Sequence, residues 1–151
     1  MTTSPDIRLQ MVSDPVYLAG AREMVAAVAR RLGFTEEACG QIALAVDEAL
    51  CNIIRHGYDR RKDAPIWISL FPRSIDGVPA ALSIVIEDEA RQVDPEQIRS
   101  RDLDEIRPGG LGVHIMRQVM DEVRYEKRDT TGMRLTLVKH RTPASEPAAG
   151  T

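Results

Sequence analysis

The sequence contains no apolar run that approaches the roughly 18–20 residues needed to span a bilayer, and no signal peptide opens it. It has 2 cysteines and no Cys/His spacing typical of zinc ligands. Cys39 and Cys51 fall on or next to one predicted helix, about 18 Å apart by the standard rise, too far for a disulfide. We therefore expect free thiols in a cytoplasmic protein without membrane attachment.

Positive charge is not in excess either. The net charge is −3 and no basic arm is present, which argues against direct nucleic-acid binding. A length of 151 residues, with 43% hydrophobic and 28% charged residues, is typical of one globular domain. Small, polar and Pro/Ala-rich ends predict flexible tails at 1–6 and 141–151 around a domain at 7–140.

Apolar periodicity predicts the order strand, helix, helix, two strands, helix, two strands. Caps and glycines place the helices from Pro15 to Leu32, from Thr35 past Asn52, and from about Leu111 to Glu122. Asp76-Gly77 predicts a hairpin turn between the first two central strands. The fold class is α+β: a two-layer sandwich with helices on one face of a mostly antiparallel sheet, and not a βαβ repeat.

Glu48 and Asn52 are four residues apart on the second predicted helix, so both project from one flank beside its apolar stripe. A carboxylate and a carboxamide placed this way can orient a hydroxyl and ligate Mg²⁺. The polar flank of any half-buried helix gives the same pattern.

Two further segments carry candidate binding residues. Asp88 ends an apolar strand, where a carboxylate can accept a hydrogen bond from an exocyclic amine such as adenine N6, although a solvated turn looks similar. Three glycines, Gly109, Gly110 and Gly112, precede or open the last predicted helix, where free N–H groups attract phosphate. No Gly-Lys-Ser/Thr follows them, so this is not a Walker A loop.

Together these segments resemble the N, G1 and G2 boxes of the Bergerat-fold ATPases. The boxes are Glu48-x-x-x-Asn52-x-x-x-His56-Gly57, then Asp88 with Asp94-Pro95, then Pro108-Gly-Gly-Leu-Gly112. Asn52-Ile-Ile-Arg-His-Gly-Tyr58 and Met120-Asp-Glu-Val123 resemble, more closely, the bacterial anti-sigma-factor serine/threonine kinases. The resemblance covers roughly residues 7–140.

The resemblance implies a role for each matched residue. Glu48 corresponds to the general base that activates a partner's serine hydroxyl, and Asn52 to the ligand of the Mg²⁺ that bridges the nucleotide phosphates. Asp88 corresponds to the adenine-reading carboxylate. Arg107 and the glycines correspond to a mobile lid over the phosphates. The implied nucleotide-binding set is Asn52, Asp88, Ala90, Arg107, Gly109, Gly110, Leu111, Gly112, Val113 and Thr136.

The same resemblance implies ATP and Mg²⁺ as cofactors, an anti-sigma-factor antagonist domain as substrate, a sigma factor or similar regulator as second partner, and a possible homodimer. Two departures leave an alternative open. Ala90 stands where the family has glycine, and Met133 stands where it has a threonine whose hydroxyl helps to bind adenine; Thr136 is a weak substitute. The alternative is a non-catalytic adaptor on this fold with weak or no nucleotide binding.

Overall fold

The computed structural model describes residues 4–98 and 111–142, with the backbone alone for 111–114. Its elements follow the predicted order, and the α+β sandwich is confirmed. The elements are β1 (Ile7–Val12), a 3-10 turn (Pro15–Tyr17), α1 (Leu18–Arg31), α2 (Glu36–Asn52), a π-helical turn (Ile53–Gly57), β2 (Pro65–Ile75), β3 (Val78–Asp88), α3 (Leu111–Val119), β4 (Glu122–Lys127) and β5 (Met133–His140).

The five strands form one antiparallel sheet in the order β1-β2-β3-β5-β4. The predicted hairpin joins β2 to β3 through Asp76 and Gly77, whose φ angles are 52° and 78°. Two successive positive φ angles are those of a type I′ turn, whose twist matches that of the strands it joins. The register shifts between Arg73 and Ser74, and beyond that shift it places Asp88 opposite Ile66, at the far end of the hairpin from the turn.

The core lies between the sheet and the helices. Alternate residues of the central strands, such as Ile68 and Ile86, are paired across the sheet and fully or almost fully buried. They belong to one hydrophobic cluster with Ile42 and Val46, which lie four residues apart on α2. Each such side chain contributes about 1.5–3 kcal/mol on burial. The apolar stripe therefore fixes which flank of α2 faces outward with Glu48 and Asn52.

Local signals set the helix ends. Thr35 caps α2 by accepting a hydrogen bond from the Ala38 amide at 3.1 Å, as its position predicts. Gly33, with φ of 93°, follows α1. Asp14 also caps as predicted, but it starts the 3-10 turn, and α1 itself begins at Leu18. Among the helices of the described ranges, none has the length and apolar content of a membrane crossing.

The predicted end of the last helix was wrong. The helix ends at Val119 and not at Glu122, because Glu122 already pairs with Val138 as the first residue of β4. Two backbone hydrogen bonds lie next to the ends of the predicted domain at 7–140, whose bounds stay a prediction. Asp6 donates from its amide to the Leu70 carbonyl at 2.9 Å, and Arg141 donates from its amide to Ala80 at 2.8 Å.

Candidate functional site

Asp88 is the last residue of β3 and is only 5% exposed. Its Oδ1 accepts hydrogen bonds from the amides of Ala90, at 2.9 Å, and Met133, at 3.1 Å. Burial raises the pKa of this carboxyl, and the two amides oppose that shift only in part. Oδ2, the second oxygen of this carboxylate, has no hydrogen-bond partner among the described residues. An acceptor atom thus remains free on a carboxylate whose position is fixed.

Gly132, just before β5, holds the second of those donors in place. Its φ is 85°, and a β-carbon on it would lie 1.8 Å from the Asp88 carbonyl oxygen. No side chain fits there, so the backbone of β5 can approach Asp88 closely enough for the Met133 amide to donate. In the sequence, Met133 was notable only for the hydroxyl that it lacks. The structural requirement for glycine was missed.

Ala90 stands where the family has glycine, but its backbone does not require glycine. It has no positive φ, so its methyl group meets no backbone penalty. The residue is 6% exposed, and a β-carbon on Gly57 would lie 3.1 Å from its methyl carbon. Ala90 therefore lies against the π-helical turn, and a side chain at Gly57 would require its methyl group to shift by a few tenths of an ångström.

Tyr58 makes a second contact between the same two segments. Its hydroxyl accepts a hydrogen bond from the Glu89 amide at 2.6 Å and donates one to the Pro65 carbonyl at 2.6 Å. The ring is 6% exposed, and burial raises the pKa of the phenol. The sequence indicated no role for Tyr58, because the Glu89 amide that it holds lies 31 residues away in the chain.

Glu48 and Asn52 lie on α2 as predicted, and both are half-buried. Neither side chain has a hydrogen-bond partner in the described parts of the chain. Asn52 is the last residue of α2, directly before the π-helical turn. Such turns are rare and frequently occur at functional sites. Here the turn carries the chain from Asn52 to Gly57 and Tyr58, and so joins the end of α2 to the loop after Asp88.

Thr136 does not lie beside Asp88. In the register of β3 with β5, Thr136 is opposite Val85. Val85 and Asp88 are separated by an odd number of positions along one strand, so their side chains point to opposite faces of the sheet. The Thr136 hydroxyl therefore lies on the face away from Asp88. The prediction that Thr136 substitutes for a threonine at position 133 was wrong, because residues three positions apart on a strand point to opposite faces of the sheet.

The predicted lid residues Arg107, Gly109 and Gly110 lie outside the described residues. Leu111, Gly112 and Val113 form the first residues of α3, so the helix does start within the glycine segment as predicted. Their assignment to phosphate binding stays a prediction.

Arg128 supports the Asp88 segment from the other face of the sheet. Its Nη1 donates to the Asp88 carbonyl oxygen at 2.8 Å, and its Nε donates to Glu87 at 3.1 Å. The guanidinium carbon also lies 5.1 Å from the centre of the Trp67 ring, a cation–π geometry. No motif indicated this residue, whose contacts all come from the folding of the sheet.

Within the described ranges, no group of three or more His, Cys, Asp or Glu side chains is placed to hold a metal ion. Asn52 can supply one oxygen ligand. Mg²⁺ usually takes one or two protein ligands and completes its shell with water and phosphate oxygens. A single oxygen ligand from Asn52 therefore fits a cation that arrives with a nucleotide.

The residues of the site lie in a region of the chain that matches a known protein family. The model of the histidine kinase-like ATPase domain matches residues 11–139. The chain belongs to this ATPase domain family. The match includes α2, the end of β3 and β5, which are the elements that carry the described site.

Similar proteins agree with this assignment. The serine-protein kinase RsbW of Bacillus subtilis is 27% identical over 89% of this chain and 84% of its own length. The protein of the same name from Listeria innocua is 29% identical over 82% of both chains.

Among solved structures, the RsbU and RsbW domains of a Mycobacterium tuberculosis protein superpose with a TM-score of 0.59 at 18% identity. The match covers 93% of this chain and 34% of that one, so this chain spans about a third of its length. A mycobacterial sensor histidine kinase, MprB, gives 0.54 at 17% identity, covering 91% of this chain and 99% of that one. These two likenesses concern the fold alone.

Proposed function

We propose that this chain is a protein-serine/threonine kinase that binds ATP with Mg²⁺ and phosphorylates an anti-sigma-factor antagonist. One observation supports this most directly. The buried Asp88 carboxylate, whose Oδ2 has no partner among the described residues, is tied through Tyr58 to the end of α2. That helix carries Glu48 and Asn52, and neither side chain is hydrogen-bonded within the described ranges. Family membership and the serine-protein kinase relatives support the same assignment.

The Asp88 end recognises the base. Asp88 Oδ2 accepts a hydrogen bond from the exocyclic amine, while Oδ1 stays engaged with the Ala90 and Met133 amides. Two fixed donors prevent the carboxylate from rotating away, so the acceptor is pre-positioned. A guanine carbonyl at the same place would meet a second acceptor, which favours adenine.

The α2 end performs the chemistry. Bound Mg·ATP supplies the phosphoryl group and the charge neutralisation. The Asn52 amide oxygen is the protein's ligand to the cation, and the Glu48 carboxylate accepts the proton of the attacking serine hydroxyl. One helical turn separates the two groups, so base and cation ligand act side by side. Arg107 and the glycines at 109, 110 and 112 would close over the phosphates.

The proposed partners are an anti-sigma-factor antagonist domain as substrate and a sigma factor or similar regulator that the kinase sequesters. This exchange would take place in the cytoplasm, with the kinase as a possible homodimer. The support is the name shared by the curated relatives and the resemblance of residues 52–58 and 120–123 to that family.

A nucleotide titration tests the proposal. In calorimetry, ATP should bind more tightly with Mg²⁺ than with EDTA, and the Mg²⁺ dependence should be smaller for ADP. Phosphate from labelled ATP should then appear on a serine of the antagonist domain when the two proteins are mixed. Absence of binding at millimolar ATP would instead support the adaptor, which Met133 favours because it lacks the threonine hydroxyl.

A further inference from the structure

A cavity of about 300 Å³ opens on a different flank of α2 from the site above. It lies between the 3-10 turn that precedes α1 and the π-helical turn that follows α2. Its apolar walls are Pro15, Leu18, Cys51 and Ile54. Cys51 and Asn52 are consecutive helical residues, so their side chains point about 100° apart. The cavity therefore lies close to the candidate active site but does not belong to it.

Three basic residues complete the lining: Arg55, Arg60 and Lys62. All three are exposed, and none has an ion-pair partner within the described ranges. The chain as a whole has a net charge of −3, so this concentration of positive charge is local. Unpaired cations around an apolar cavity fit a ligand that combines anionic and apolar groups.

The backbone holds one of these cations in an unusual conformation. Arg60 has a φ of 66°, in the left-handed region that a side chain with a β-carbon rarely adopts. Its amide donates to the Ile54 carbonyl oxygen at 2.7 Å, which fixes the residue beside the cavity wall. Strained residues of this kind persist where the surrounding structure determines them, and they cluster at binding sites.

Apolar surface continues beyond the cavity. Val16 is 71% exposed and Tyr17 53% exposed, and both lie in the short segment between the wall residues Pro15 and Leu18. Aromatic and aliphatic side chains exposed beside a pocket are typical of protein-binding surfaces. Two exposed apolar side chains, here called the shelf, thus follow the wall residue Pro15 in the chain, and three basic side chains, here called the rim, line the cavity.

We propose that this cavity, its basic rim and the shelf of Val16 and Tyr17 form a docking site for an acidic segment of a partner protein. An apolar side chain of that segment fills the cavity, and flanking carboxylates pair with the basic rim, where arginines bind carboxylates in bidentate geometry. The chain's negative net charge disfavours a nucleic acid or an anionic membrane as the occupant. The proposal does not depend on phosphoryl transfer.

Selection from a random peptide library tests this without a known partner. The full chain is immobilised without nucleotide, and bound peptides are sequenced. We expect enrichment of peptides in which Asp or Glu flanks Leu, Ile or Phe. Failure to enrich any peptide, or enrichment of peptides without acidic residues, would overturn the proposal.

Alkylation of Cys51 tests whether a selected peptide binds in the cavity. It is half-buried in the cavity wall, whereas Cys39 is 2% exposed and serves as an internal reference for alkylation. A selected peptide at saturation should slow alkylation of Cys51 by about tenfold or more, and leave Cys39 unchanged. A bound peptide that leaves the Cys51 rate unchanged would place the site elsewhere.

Charge reversal with a matched control completes the test. The exposed double variant R55E/K62E should weaken binding of a selected peptide by at least about tenfold, because two charge-assisted contacts become repulsive. The control R31E/R73E makes the same charge change at exposed residues outside the cavity and should stay within about twofold. Equal affinities in the two variants would refute the role of the rim. Protection of Cys51 by phosphatidylserine vesicles or by an oligonucleotide, and not by peptides, would assign the surface to those ligands.

Discussion

Gly132 approaches the carbonyl oxygen of Asp88 so closely that a β-carbon would lie 1.8 Å from it. This contact joins the start of β5 to the end of β3 and lets the Met133 amide reach the Asp88 carboxylate. Glycine at position 132 is therefore required for the hydrogen-bonded geometry of the buried Asp88 carboxylate. The family resemblance includes Asp88, but only the fold shows that its geometry depends on Gly132.

Gly132→Ala should lower the free energy of unfolding by at least about 2 kcal/mol, because the variant combines a left-handed backbone with a steric clash against main-chain atoms. Urea denaturation measures it. Gly40→Ala is the control: nothing lies within 4 Å of a β-carbon there, and a helical position favours alanine, so stability should rise by about 0.5–1 kcal/mol. Similar losses in both variants would contradict the assigned role of the contact.

Tyr58→Phe should leave the Glu89 amide and the Pro65 carbonyl without their hydroxyl partner. Both hydrogen bonds are only partly buried, so water replaces part of each, and the free energy of unfolding should fall by about 1 kcal/mol. Tyr17→Phe, at an exposed tyrosine, should change stability by less than about 0.5 kcal/mol.

Nucleotide affinity is a second property to measure in the Tyr58→Phe variant. The Tyr58 hydroxyl holds the loop directly after Asp88. Tyr58→Phe should therefore also lower the affinity for ATP and for ADP to a similar extent. A variant that loses stability but keeps full affinity for both nucleotides would show that the loop does not need this hydrogen bond in order to bind the base.

Asp88→Asn should change stability in a pH-dependent way. Burial raises the pKa of Asp88 in the folded protein, so between about pH 4 and that raised pKa the folded state holds more protons than the unfolded state. The unmutated protein therefore loses stability as pH rises through this window. The variant does not titrate there, so its stability relative to the unmutated protein should increase with pH. Denaturation at several pH values without nucleotide checks this, with Asp76→Asn, in the exposed hairpin turn, as the control.

The same substitution should have the opposite effect on binding. The amide presents donors where Oδ2 accepted, so affinity for ATP and ADP should fall by about 1.5–3 kcal/mol. Calorimetry at neutral pH measures it. A more stable variant with weaker binding would show that the buried charge serves the ligand and not the fold, whereas unchanged affinity would refute Asp88 as the base-reading group.

Glu48→Gln and Asn52→Ala should separate chemistry from binding. The glutamine amide cannot take the serine proton, so phosphoryl transfer should fall by about 10²–10⁴-fold while ATP affinity stays within a few-fold. Asn52→Ala should instead lose the Mg²⁺ dependence of ATP binding. Glu37→Gln, at an exposed position in the first turn of the same helix, is the control. A normal transfer rate in Glu48→Gln would show that another group is the base.

Local sequence signals predicted most of the fold. The cap at Thr35, the Asp76-Gly77 turn and the alternation in β2, β3 and β5 depend on residues near one another in the chain, where backbone preference and burial act together. The end of the last helix was placed too late, because pairing of Glu122 with Val138 overrides local helical periodicity.

The residues of the candidate site likewise fall into those that the sequence predicted and those whose contacts depend on the fold. Helix and strand periods, read from the residues alone, place Glu48 and Asn52 on one helix flank and Asp88 at the end of a strand. The folded chain was needed to show that Thr136 faces away from Asp88 and that Tyr58 holds the Glu89 amide, 31 residues distant. Such contacts depend on register and close approach between distant segments, and pairing across the sheet settles these only when the whole core packs.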